Sequence, residues 1–154
     1  MALTKVQTEM AGVGSVLQVV QATDTTARST SSSSWVTGSN TLSVSITPKS
    51  ASSKILILCS LAVSQTASNG GAYYTVYRNG STNLGSASTG FFSWYSNAVF
   101  TNPFRGSGSI SYLDSPATTS STTYQVYMQT NTVGNAGLNN ESQLSTITVM
   151  EIAA

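Results

Sequence analysis

Histidine is absent from the 154 residues, and cysteine occurs once, at position 59. The first absence removes the commonest general base and a common zinc ligand. The second excludes an internal disulfide. Cys59 lies among apolar residues, so a buried, inert thiol is expected there; a catalytic one would lack its histidine. Charge is scarce too: six Lys and Arg and five Asp and Glu make 7% of the chain, against roughly 25% in ordinary soluble domains. The basic residues Lys5, Arg28, Lys49, Lys54, Arg78 and Arg105 form no stripe that would follow a nucleic acid. The acidic residues Glu9, Asp24, Asp114, Glu141 and Glu151 share no local motif, which leaves a glycosidase-type carboxylate pair without sequence support. Asp114, ahead of Ser115 and Pro116, is expected as a turn residue bonding its own backbone, in a neighbourhood too poor in carboxylates for calcium. Gly106-Ser107-Gly108 is no phosphate-cradling fingerprint. No apolar run is long enough to span a bilayer, and no basic, then apolar leader opens the chain. The expectation is a non-enzymatic protein without metal, cofactor, nucleic acid or membrane, made in a cytoplasm.

What remains is strand chemistry. Lys54 to Ser64 places Ile55, Ile57, Cys59, Leu61 and Val63 on one face of a strand and Leu56, Leu58 and Ala62 on the other. A strand apolar on both faces belongs at the centre of a packed structure. Leu42, Val44 and Ile46 alternate with Ser43, Ser45 and Thr47, a half-buried strand that Pro48 ends. Further strands are expected at Ser15–Ala22, Ala72–Arg78, Ser109–Leu113, around Tyr124, Val126 and Met128, and at Ser145–Ile152. Asn79-Gly80 suits the positive φ angles of a tight hairpin. Phe91–Phe100 is the most aromatic stretch, closed by Pro103 and the Gly106/Gly108 pair. Ala22–Ser34 and Asn131–Ser142 read as loops. About eight short strands with polar turns indicate an all-β chain, an antiparallel jelly-roll-like sandwich, with an immunoglobulin-like sandwich as the alternative. Residues 1–14 form an N-terminal arm ahead of a domain at 15–154. In the arm Leu3, Val6 and Met10 recur at helical spacing and are expected to anchor it on a partner. A net charge of +1 favours association over free dispersal.

Four phrases occur in order: S-S-K-I-L-I at 52–57, Y-R-N-G at 77–80, Y-L-D-S-P-A-T-T-S-S-T-T-Y at 112–124 and S-T-I-T-V-M-E-I-A-A at 145–154. This set resembles small β-sandwich structural proteins of tailed bacteriophages of the cyanophage and marine-phage type. The resemblance implies a homotrimer on the virion, either a capsid decoration (cement) protein bound to the major capsid protein or a tail-fibre tip that recognises a host glycan. The opening M-A-L-T-K-V resembles fibre and spike N-termini, but no shaft or repeat accompanies it, so decoration of the capsid surface is the first expectation. Phe91, Phe92, Trp94 and Tyr95 would supply receptor, glycan or subunit contacts. A lectin-like module outside any virion is a third reading, disfavoured by the missing leader.

Overall fold

The computed structural model describes residues 12–66, 70–96, 103–131 and 133–154. Leu3, Val6 and Met10 lie outside the described residues. Among the described residues eleven strands run in order: β1 (Val16–Asp24), β2 (Arg28–Thr30), β3 (Ser43–Ile46), β4 (Lys54–Gln65), β5 (Gly70–Arg78), β6 (Thr82–Asn83), β7 (Phe92–Ser96), β8 (Phe104–Asp114), β9 (Thr122–Thr130), β10 (Ala136–Leu138) and β11 (Ser145–Ile152).

They form two antiparallel sheets. In the first, β4 pairs β8 along one edge; along the other it pairs β11 with its first half and β10 with its second. Beyond them β1 pairs β11 and β2 pairs β10. β1 with β2, and β10 with β11, are thus two long strands, each interrupted once. In the second sheet the order is β3, β9, β5, with β6 and β7 sharing the outer edge of β5. Four strand paths in each sheet, in the orders β1-β11-β4-β8 and β3-β9-β5-β7, make the eight-stranded jelly roll that the spacing of the strands predicted.

The alternation explains the core. Ile55, Ile57, Leu61 and Val63 of β4 and Ile147 and Val149 of β11 meet Val44, Ile46, Tyr74, Val76, Tyr124, Val126 and Met128 of the opposite sheet, all at most 4% exposed. Cys59 is buried among them, and burial pushes its thiol up to about 12. Tyr74 crosses the sandwich: its hydroxyl reaches the carbonyls of Ser64, 3.0 Å away, and Gly137, 2.7 Å away, where β4 and β10 pair. A buried hydroxyl needs such partners, because leaving one unpaired costs about 1–3 kcal/mol.

Several local expectations needed tertiary correction. β8 is not a short strand beginning at Ser109. It runs eleven residues, through Gly106 and Gly108. The glycines do not close the aromatic stretch; they make room for it. A Cβ on Gly108 would lie 2.2 Å from the Phe92 ring and one on Gly106 3.2 Å from Trp94. The stretches 22–34 and 131–142 are not wholly loop, since β2 and β10 pair with each other inside them. Hydrogen bonding to a neighbour overrides the turn preference of their Ser, Gly and Asn residues. The Asn79-Gly80 hairpin is present, with φ of 51° and 67°.

Candidate assembly surface

The outward side chains of the β1-β11-β4-β8 sheet fall into rows. One row is apolar across all four strands: Val19 opposes Met150, Met150 opposes Leu56, and Leu56 opposes Leu113. Val19 is 54% exposed and Leu113 53%, while Leu56 and Met150 between them are half-buried. Leu58 adjoins the row on one side. On the other, Val16, also 54% exposed, pairs with Ile152. The expectation that both faces of β4 are covered thus holds for one face; among the described residues nothing lies over Leu56 and Leu58. Further along, the row Gln21, Thr148, Leu58, Ser111 turns polar. Beyond Ser60 an ion pair between Arg105 of β8 and Glu141 of the 139–144 turn spans β4, beside exposed Leu144.

The other sheet buries much of its outer side under its own chain. Residues 84–91 fold back over β5 and β9. There the Thr75 hydroxyl, fully buried, donates to Asn83 Oδ1 at 2.6 Å, and Gln129 Nε2 donates to the Ser88 carbonyl at 2.8 Å. Trp35 Nε1 donates to the Ala87 carbonyl at 2.8 Å and pins the same segment. Tyr77 and Tyr127 stack beside it with ring centroids 4.2 Å apart. The contrast between the two outer faces is one of chemistry and of cover.

Exposed apolar residues scattered singly are normal, whereas a contiguous set marks an interaction surface. The described chain starts at this same place. Gly14 N–H donates to the Ala153 carbonyl at 2.7 Å, and Ala153 N–H to Ser15 at 2.9 Å. The described residues therefore begin beside Val16 and Ile152.

The aromatic stretch is divided by the pleat. Phe92 stacks on Tyr74 at 5.1 Å and Trp94 packs tilted against Phe104 at 4.7 Å, both closing the seam where β7 and β8 edge the two sheets. Phe91 packs edge-on against Tyr112 at 5.3 Å. Tyr95, 55% exposed, points outward. A groove of about 320 Å³ remains along the seam, lined by Phe92, Trp94, Ser93, Ser107 and Ser109.

Buried polar groups, which the sequence did not reveal, fasten the loops and sheets. Asp114 is not a turn residue bonding its own backbone. Its carboxylate accepts twice from Arg78 at 2.9 Å and from the Tyr124 hydroxyl at 2.7 Å, joining β8 to β5 and β9 across the sandwich. Burial and the Asp114 hydrogen bond push the Tyr124 hydroxyl well above its ordinary range. Burial would raise the Glu151 carboxyl. Ser53, Gln18 and the backbone N–H groups of Lys49 and Ser50 outweigh it and hold the group below the usual carboxylate range. Asp24 follows the same pattern: burial opposes ionisation, and the N–H groups of Thr41 and Thr26 with Arg28 hold it low. Each of these three carboxylates is taken up by structure. Among the described residues no cluster of His, Cys, Asp and Glu has the makings of a metal site. None of their helices is long and apolar enough to cross a membrane.

No protein-family model and no curated protein matches the chain. Solved structures with a similar course include proteins of infectious bursal disease virus. The VP2 subviral particle aligns with 89% of this chain and 37% of its own, at 13% identity and a TM-score of 0.46. The structure of the Gt strain aligns with 100% of this chain and 43% of its own, at 14% identity and a TM-score of 0.44. The chain spans about two fifths of the length of these proteins. The jelly-roll assignment rests on the strand order alone.

Proposed function

We propose that the chain is a virion structural protein, a capsid decoration protein that binds the outer surface of the major capsid protein and stabilises the head. One observation carries this reading: an apolar row crosses a sheet that no other described residue covers, and the described chain begins at its end, at Gly14 and Ser15. Four strands about 4.8 Å apart and three rows about 6.8 Å apart span roughly 400 Å². A specific interface buries roughly 1,000 Å² or more over both partners. The face supplies most of one side, and residues 1–14, with Leu3, Val6 and Met10, supply the rest. The scarcity of charge fits a surface meant to lose its water, since interface cores are depleted in charged residues.

The test is the copy number of the chain in purified particles, by quantitative mass spectrometry against the major capsid protein. A ratio within a few-fold of one is expected. Leu56→Lys and Met150→Lys should each lower occupancy at least tenfold while leaving thermal unfolding within a few degrees, because both positions already touch water. A ratio of a few per cent or less overturns decoration.

That result would favour the second reading, a tail-fibre tip that binds a glycan. Its observation is the seam groove, where Trp94 offers a ring and Ser93, Ser107 and Ser109 offer hydroxyls. Trp94→Ala would then abolish adsorption to host cells.

A further inference from the structure

A jelly roll has four edges, and three of these are blunted. β1 slips register between Val16 and Gln18 and stops at Asp24, where β2 resumes after a gap. β3 has four residues, followed by Thr47 and Pro48. The edge beyond β5 is split between two-residue β6 and five-residue β7, with the folded-back segment 84–91 between them. β8 differs. Its eleven residues hold one unbroken register with β4, from Ile55 opposite Asp114 to Gln65 opposite Phe104. It has no proline, no lysine and no bulge. Its one cation, Arg105, is engaged by Glu141. Among the described residues β8 pairs with β4 alone. Proteins that stay apart guard long edges with short strands, bulges, proline or charge. The only charges of β8, Arg105 and Asp114, are taken up by ion pairs within the chain, with Glu141 and Arg78.

We propose that two copies of the chain pair along Arg105–Leu113 of β8, on the side away from β4, antiparallel about a two-fold axis at Ser109, and so join two four-stranded sheets into one of eight. Ser109 is the midpoint of Arg105–Leu113, so this register overlaps the two stretches completely. On the outer side Ser107 then stands opposite Ser111 and Ser109 opposite itself, a ladder of short hydroxyl side chains that bond across strands. On the inner side Gly106 meets Tyr112 and Gly108 meets Ile110, each large residue facing one without a Cβ. Arg105 meets Leu113, so no like charges oppose. Nine residues at about 3.4 Å give a seam of about 31 Å. Taken through both sheets, roughly 20 Å, the footprint is about 600 Å² per copy, against the roughly 800 Å² per partner of a standard interface.

The experiment uses the full chain and needs no particle, so its failure leaves the capsid reading standing. Sedimentation equilibrium should give twice the 16.0 kDa chain mass. Directly opposed strand residues lie about 4.5–5.5 Å apart at Cα, within disulfide reach. Oxidised Ser109→Cys should therefore crosslink to itself. Ser107→Cys and Ser111→Cys should crosslink when mixed and stay uncrosslinked when alone. Ser45→Cys, exposed on the other sheet, is the collision control, and the native Cys59 is buried. Ser109→Lys places like charges together at the axis and should weaken the dimer at least tenfold with unchanged thermal unfolding. A monomer, a three-chain mass, or a dimer whose Ser109→Cys form crosslinks no faster than Ser45→Cys overturns the proposal.

Discussion

Replacing Asp114 by alanine tests how the two sheets are held at one end. The carboxylate is 5% exposed and receives three hydrogen bonds, two from Arg78 and one from Tyr124. Both donors belong to the opposite sheet, where Arg78 and Tyr124 are cross-strand neighbours. Removing one partner of a buried ion pair costs about 3–5 kcal/mol, because the other is left uncompensated. The Arg78 side chain is 25% exposed, so water takes over part of the lost interaction and the lower end, about 3 kcal/mol, applies. For a chain of this length that corresponds to a fall in Tm of about 6–12 °C. Asp114→Asn keeps an acceptor for the tyrosine and should cost about 1–2 kcal/mol; Tyr124→Phe, which leaves the Arg78 pair intact, about 1 kcal/mol. Groups in one network are not additive, so Asp114→Ala with Tyr124→Phe should fall short of the sum by at least about 0.5 kcal/mol. Urea unfolding read by tyrosine and tryptophan fluorescence, with the slope checked for constancy, measures all four. A cost below about 1 kcal/mol for Asp114→Ala, or strict additivity, would refute the view that this cluster fastens the sheets.

Glu151 and Asp24, both held below their ordinary ranges, contribute stability above the unfolded-chain values of 4.5 and 3.8, which is lost as pH falls through the lower folded values. Urea midpoints should therefore decline below about pH 5, and Glu151→Gln should flatten that decline. Cys59, pushed up to about 12, should resist an aromatic disulfide reagent at pH 8 in the native protein and react fully in denaturant; fast native labelling would contradict its burial. Gly80 has φ of 67° with nothing closer to a built Cβ than the Tyr127 hydroxyl at 3.7 Å, so Gly80→Ala should cost about 1 kcal/mol by conformation alone, read from the same urea curves.

The fold was legible where period and punctuation agree. Leu42, Val44 and Ile46 before Pro48, the doubly apolar run at Lys54, and Asn79-Gly80 after an aromatic strand each state their structure locally. β8 is longer than its sequence suggests because glycine ordinarily weakens a strand, whereas here it clears space for Phe92 and Trp94 arriving from the other sheet. β2 and β10 were missed because three residues of Arg-Ser-Thr or Ala-Gly-Leu carry no period; each exists through its pairing with a distant neighbour. The candidate surface was half legible. Leu56 and Leu58 announced an apolar face, but only the register shows that Val19, Met150 and Leu113 extend it into a row. Asp114 and Glu151 stayed hidden because Arg78 lies 36 residues from the first and Gln18 133 from the second.

The pairing of β1 with β11 has a consequence for synthesis. Val16 finds its place only opposite Ile152, about 136 residues later, so on the ribosome β1 waits with both edges bare while everything between is made. At about 5–20 residues per second that interval lasts roughly 7–27 seconds. Until β11 arrives, the edge of β4 away from β8 also lacks a neighbour along half its length, and the nascent chain leaves one edge of its most apolar strand open to whatever else is nearby. Ring closure through sequence-distant strands makes folding slow as well as late. Yield in a cell should therefore depend on chaperone supply and on temperature more steeply than the stability of the finished sandwich would suggest.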